Sequence, residues 1–183
     1  MSQYKFINLQ QPQNTASGVA QFILFAPVYD FEVDGIKCPE APFASPGDKV
    51  KITSPHVFKL GRGFTKFICA PEKNHVDGKS IGDKGFNKFD FDYKFFVPGS
   101  YAQLHEAAAE MLNTPMIVLT KDSSCDDDLY YQLGCDCLFA YITLDFTTGT
   151  EKDGVKGYSG SVTYTNRSVL LYAAPGGPTI LGN

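Results

Sequence analysis

Residues 88–96 read KFDFDYKFF, and this stretch decides the fold. Aromatic and charged residues alternate along it, and an extended strand is the backbone form that sends alternate side chains to opposite faces. Phe89, Phe91, Tyr93 and Phe95 therefore line one face of a sheet, where each ring buries a large apolar area. Lys88, Asp90, Asp92 and Lys94 line the other. In a half-buried antiparallel strand that second face is wet. The sharper alternative is that it meets another copy of the chain or lines a channel, which makes these four residues the candidate inter-subunit or lumen surface.

Working outward, Pro98 and Gly99 end the strand, and Ser100 with Gln103 has the spacing of a capping box in front of a helix over residues 101–112. Tyr101, Leu104, Ala108, Met111 and Leu112 fall on one stripe of that helix, with Gln103, Glu106 and Glu110 opposite. Upstream, residues 75–85 (HVDGKSIGDKG) carry Gly and Asp in turn-forming density and read as a long exposed loop. Strands are expected at 21–29, with Pro27 at an edge or bend, and at 49–53 and 64–69. After Thr114-Pro115 stops the helix, further strands are expected at 116–120, 138–146, 158–165 and 168–172. Runs of strands around one helix give a mainly β protein, an antiparallel β-sandwich or barrel with one flanking α-helix. The 183 residues, 43% hydrophobic and 14% aromatic, suit a single domain over 1–183, with an extended N-terminal arm at 1–18 and a flexible C-terminal tail at 174–183.

Sixteen Lys and Arg stand against twenty Asp and Glu, and the basic residues are scattered, so a dedicated nucleic-acid binder is not expected. The polar start has no signal-peptide core and the longest apolar run, 22–28, is too short to span a bilayer, so the chain is expected to be made in a cytoplasm and to have no membrane partner. The five cysteines, Cys38, Cys69, Cys125, Cys135 and Cys137, lack paired CxxC spacing and read as free thiols; the CDC at 135–137 is placed in a turn.

Other motifs fall short of the chemistry they suggest. Gly78-Lys79-Ser80 ends like a phosphate loop, but Lys73 stands where the first glycine belongs and no helix follows. His105-Glu106 lacks a second ligand because position 109 is alanine, so His105 reads as packing. Ser159 and Ser161 lie in a strand rather than a nucleophile elbow. Asp126, Asp127 and Asp128 lack calcium-loop spacing. Asn166-Arg167-Ser168 is formally a glycosylation acceptor. No catalytic, cofactor-binding or metal residues are assigned, no cofactor is expected, and the chain reads as a non-enzyme.

The order of segments resembles the tail tube or major tail proteins of tailed bacteriophages. QFILFAPVYDF comes first, then FFVPGSYAQLHEAAAEML, then NTPMIVLTKD, and then a tract from TGTEKDG into GVKGYSGSVTYT, which carries most of the likeness. The resembling segments fall in order between Gln21 and Tyr172 and cover about two thirds of the chain. It implies a virion structural protein that self-assembles into a homo-oligomeric ring, commonly a hexamer, stacking into a tail tube with a channel for DNA. Sheets of neighbouring subunits join into the inner wall, and loops or arms tie the rings. Other tail or neck proteins are the further partners, and DNA makes only transient, non-specific passage. The implied location is the phage tail. The family brings no catalytic residues. Against this stand a capsid decoration or glycan-binding module, for which Tyr130 and Tyr131 are the aromatic pair, and a hydrolase with no adequately spaced residue pair.

Overall fold

The computed structural model describes residues 18–71, 73–122, 129–150 and 154–181. The expected arm over residues 1–17, Cys125 and the Asp126 to Asp128 run lie outside them. The elements are β1 (Phe22–Pro27), a 3-10 turn (Val28–Asp30), β2 (Lys51–Ile52), β3 (Thr65–Ile68), β4 (His75–Ile81), β5 (Lys88–Pro98), α1 (Ala102–Met111), β6 (Met116–Lys121), β7 (Tyr130–Leu133), β8 (Tyr141–Thr147), β9 (Gly157–Asn166) and β10 (Leu170–Tyr172). Ten strands and one α-helix make two sheets, mainly β and sandwich-like, with no closed barrel among the described residues. One sheet runs β2-β10-β7-β6-β1-β3 and the other β4-β5-β9-β8. Every pairing is antiparallel except that of β10 with β2.

The six-stranded sheet is covered on both faces. MIVLT of β6 is wholly buried, as are Ile23, Leu24, Phe25 and Ala26 of β1, which is the continuous apolar run that two-sided burial demands. On one side Phe31, His56, Phe58 and Phe64 from the long 31–64 connection form an aromatic cap, with Phe31 and Phe58 stacked at 4.3 Å and His56 stacked on Tyr172 of β10 at 4.9 Å. On the other side lies β5, whose Tyr93 hydroxyl meets Thr120 of β6 and the Cys69 thiol. Burial pushes Cys69 up to about 12 and Tyr93 higher still, because neither anion is solvated there. The Tyr93 and Thr120 oxygens converge without a well-formed hydrogen bond.

In the four-stranded sheet Phe91, Tyr93, Phe95 and Val97 are buried as alternation requires. The sheet accommodates their rings by leaving glycine opposite two of them: Phe91 pairs with Gly78 and Phe95 with Gly160. A Cβ on Gly160 would sit 2.1 Å from the Phe95 ring, and one on Gly78 would sit 2.9 Å from Phe91. Phe89 departs from the expectation. It is 41% exposed, at the rim of an open cleft between the sheets.

Five further expectations are corrected. Residues 75–81 are not loop but β4, paired with β5 over its whole length; an edge strand satisfies its backbone on one side only and needs few apolar residues. β1 is interior, between β3 and β6, rather than at an edge; Pro27 is its last residue and stands at a bend, the other place expected for it, where the chain enters the 3-10 turn. Tyr101, not Ser100, is the N-cap of α1, without a side-chain cap bond, because the Ser100 hydroxyl is engaged by His105 Nε2 at 3.0 Å. Leu104, Ala108 and Met111 are buried on α1, whereas Tyr101 and Leu112 are exposed at its ends. Residues 179–181, expected as a loose tail, are bonded to the body: Phe64 N–H donates to Thr179 O at 2.8 Å and Leu181 N–H to Phe64 O at 2.9 Å.

Candidate functional site: the open face of the four-stranded sheet

Lys88, Asp90, Asp92 and Lys94 project from the face of β5 opposite the buried rings, and the registers extend that face across all four strands. Lys79 stands opposite Asp90 and Thr165; Asp77 opposite Asp92, Thr163 and Tyr141; His75 opposite Lys94, Ser161 and Thr143. Asp145 and Ser159 continue it. The face thus carries carboxylates and ammonium groups in near balance, with hydroxyls filling β8 and β9. The hydroxyls are engaged with the acids: Ser161 Oγ donates to Asp92 Oδ1 at 2.5 Å and Thr165 Oγ1 to Asp90 Oδ1 at 2.9 Å. Lys94 pairs with Asp92 at 3.4 Å and His75 with Asp77 at 3.6 Å. The Lys94 ion pair and the Ser161 hydroxyl, both on Asp92, offset the like charges of Asp77 and Asp92, which the register sets directly opposite one another.

A shallow groove of about 750 Å³ runs over this face, with Lys73, His75 and Lys94 along one part and Asp145, Thr143 and Ser161 along another. Mixed signs at this spacing create no strong single-sign field, so the face does not concentrate phosphate as a basic groove does. Both edges of the sheet are open: among the described residues β4 pairs only with β5, and β8 only with β9. A strand edge of this kind presents a row of backbone donors and acceptors that another chain can complete.

Ser100, His105 and Tyr158 form a chain that superficially resembles a nucleophile relay. His105 Nε2 meets the Ser100 hydroxyl at 3.0 Å and Nδ1 meets the Tyr158 hydroxyl at 2.5 Å. A phenol in the third position brings no carboxylate to stabilise an imidazolium. The His105 ring packs edge-on against Phe146 and Tyr158, so the chain latches the first turn of α1 onto β8 and β9. His56 is the buried histidine of the three. Lys37 N–H donates to Nδ1 at 3.0 Å, so Nε2 carries the proton and donates to Gln132 Oε1 at 3.0 Å; Gln132 Nε2 in turn donates to Lys37 O at 3.1 Å and Gly134 O at 2.9 Å. Burial lowers His56 from 6.5 to about 4 and keeps it neutral.

This network brings residues 37–38 beside the turn at 134–138. There Cys38 and Cys135 are joined in a disulfide across 97 residues, which corrects the expectation of free thiols for that pair; the spacing rule missed it because the partners are remote in sequence. Cys69 is a buried free thiol and Cys137 an exposed one. Tyr130 is buried in β7 and the Tyr131 hydroxyl donates to Asp122 at 2.9 Å, so these residues are not the loop aromatics that a glycan site requires.

Comparison with protein-family models, with curated proteins and with solved structures finds no match. No helix among the described residues is long and apolar enough to cross a membrane.

Proposed function

We propose that the chain is a tail tube subunit of a tailed bacteriophage, a non-enzymatic virion protein whose copies join edge to edge into a ring, six to a ring as is common in that family, and stack into a channel for DNA. The observation that carries this reading is the four-stranded sheet: one face packed on the core, the other polar and open over Lys88 to Lys94, and both edges unpaired among the described residues. Pairing β8 of one copy with β4 of the next continues the sheet around a ring and turns the face of Lys88, Asp90, Asp92 and Lys94 toward its lumen. A wall of hydroxyls and self-paired charges suits passage of a polyanion, since it offers phosphates no cluster of cations to hold. The segment order described above supports the same reading.

Negative-stain electron microscopy of the purified chain over a concentration series tests it. Rings or tubes with a central channel are the expected result. A monomer at every concentration, persisting when other tail proteins are supplied, overturns the reading.

A further inference from the structure

The Cys38–Cys135 pair sits in a frame that does not depend on its own bond. On one side, Lys37 is gripped through both its N–H and its carbonyl by His56 and Gln132. On the other, the turn carrying Cys135 is closed by Cys135 N–H to Leu138 O at 2.8 Å and Leu138 N–H to Cys135 O at 3.3 Å. The Cα atoms stand 6.0 Å apart. The Asp136 backbone N–H donates to Cys38 Sγ at 3.4 Å, an arrangement that also stabilises a thiolate. One donor atom each from Cys38, Cys135 and Asp136 lie within 4.8 Å of one another.

We propose that this cluster is a redox-gated site for a thiophilic divalent cation, zinc in the first place. Two thiolates on a tetrahedral ion, at metal–sulfur distances of ~2.3 Å, stand ~3.8 Å apart, which the span of the cluster admits. Cys38 and Cys135 supply the thiolates, Asp136 a carboxylate oxygen, and water takes the remaining corner. The disulfide is the closed state. A dithiol opens it by exchange, delivering two electrons and two protons to the sulfur pair and leaving as its own disulfide. Cation binding then releases the two thiol protons to solvent. The proposal stands whether or not the chain builds a tube.

The test uses the full chain, reduced with a dithiol, freed of reductant without oxygen and titrated with Co²⁺. One ion per chain, with sulfur-to-cobalt charge-transfer absorption that Zn²⁺ abolishes, is expected. The band should be lost in Cys38→Ser and Cys135→Ser and the affinity weakened by about tenfold or more in Asp136→Asn. The oxidised chain, identical in sequence, is the control that needs no mutation: it should show no such band, and Zn²⁺ should raise the melting temperature of the reduced chain alone. A reduced chain with unchanged circular dichroism and no charge-transfer band overturns the proposal, as does a band that survives Cys38→Ser.

Discussion

The two sheets bury the same kinds of side chain by different rules. In the six-stranded sheet, β1 and β6 are apolar on both faces, capped by aromatic rings on one side and by the other sheet on the opposite side. In the four-stranded sheet β5 and β9 pack apolar side chains on one face and keep the other mostly polar, and glycines at 78 and 160 make room for rings that lie across the neighbouring strand. The first sheet stabilises the molecule by area; the second fits by shape and keeps a face free. The central strands β1 and β6 leave no face to a partner, so the open polar strand face belongs to the second sheet.

The largest break in this contrast comes from filling a glycine. Gly160→Val drives a branched side chain into the Phe95 ring and should cost more than about 3 kcal/mol, read from chemical denaturation; partial recovery by an added Phe95→Leu would tie the loss to that contact. A loss below about 1 kcal/mol would show that the ring has room to move.

Acid probes the doubly covered sheet. His56 titrates near 4 in the folded chain and near 6.5 when unfolded, so between those values only the unfolded chain takes up the proton. Stability is complete above about pH 6.5 and drains as the pH falls toward 4, by on the order of 3 kcal/mol. His56→Gln should flatten this part of a plot of stability against pH.

Smaller effects sharpen the picture. Thr120→Val removes a buried hydroxyl that lacks a well-formed hydrogen bond and should stabilise the chain by up to about 1 kcal/mol in thermal unfolding. Asp77→Lys converts the like-charged pair with Asp92 into an opposite one and should gain no more than about 0.5 kcal/mol, fading with added salt. If that substitution also prevents ring formation while the monomer stays folded, the open face is an assembly surface.

Much of this architecture is legible in the sequence where one residue pattern has one physical cause. KFDFDYKFF and MIVLT announce one-sided and two-sided burial, and α1 shows its stripe of Leu104, Ala108 and Met111. What escaped is whatever depends on a remote partner. β4 carries little apolar signal of its own and exists as a strand because β5 supplies its hydrogen bonds. β7 looked like a pair of loop tyrosines until β6 and β10 enclosed it. The open face itself, Lys88 to Lys94, was read directly from alternation, whereas its extension onto β8 and β9 needed the registers. Cys38 and Cys135 meet only because His56 and Gln132 hold distant segments together.

The order of strands also sets a timetable. β4 with β5 and β8 with β9 are hairpins between sequence neighbours, but β5 must find β9 across a span that contains α1, β6, β7 and β8, with Pro98 opposite Gly157 and Phe89 opposite Asn166. Hairpins close in about 1–10 μs, whereas non-local seams in β proteins form over milliseconds to seconds. Pulse-labelled hydrogen exchange during refolding should therefore protect the two hairpins first and the β5–β9 seam last. Until that seam closes each hairpin bears a raw inner edge, so the newly made chain is most prone to pair with the wrong neighbour in the interval before Phe95 settles over Gly160.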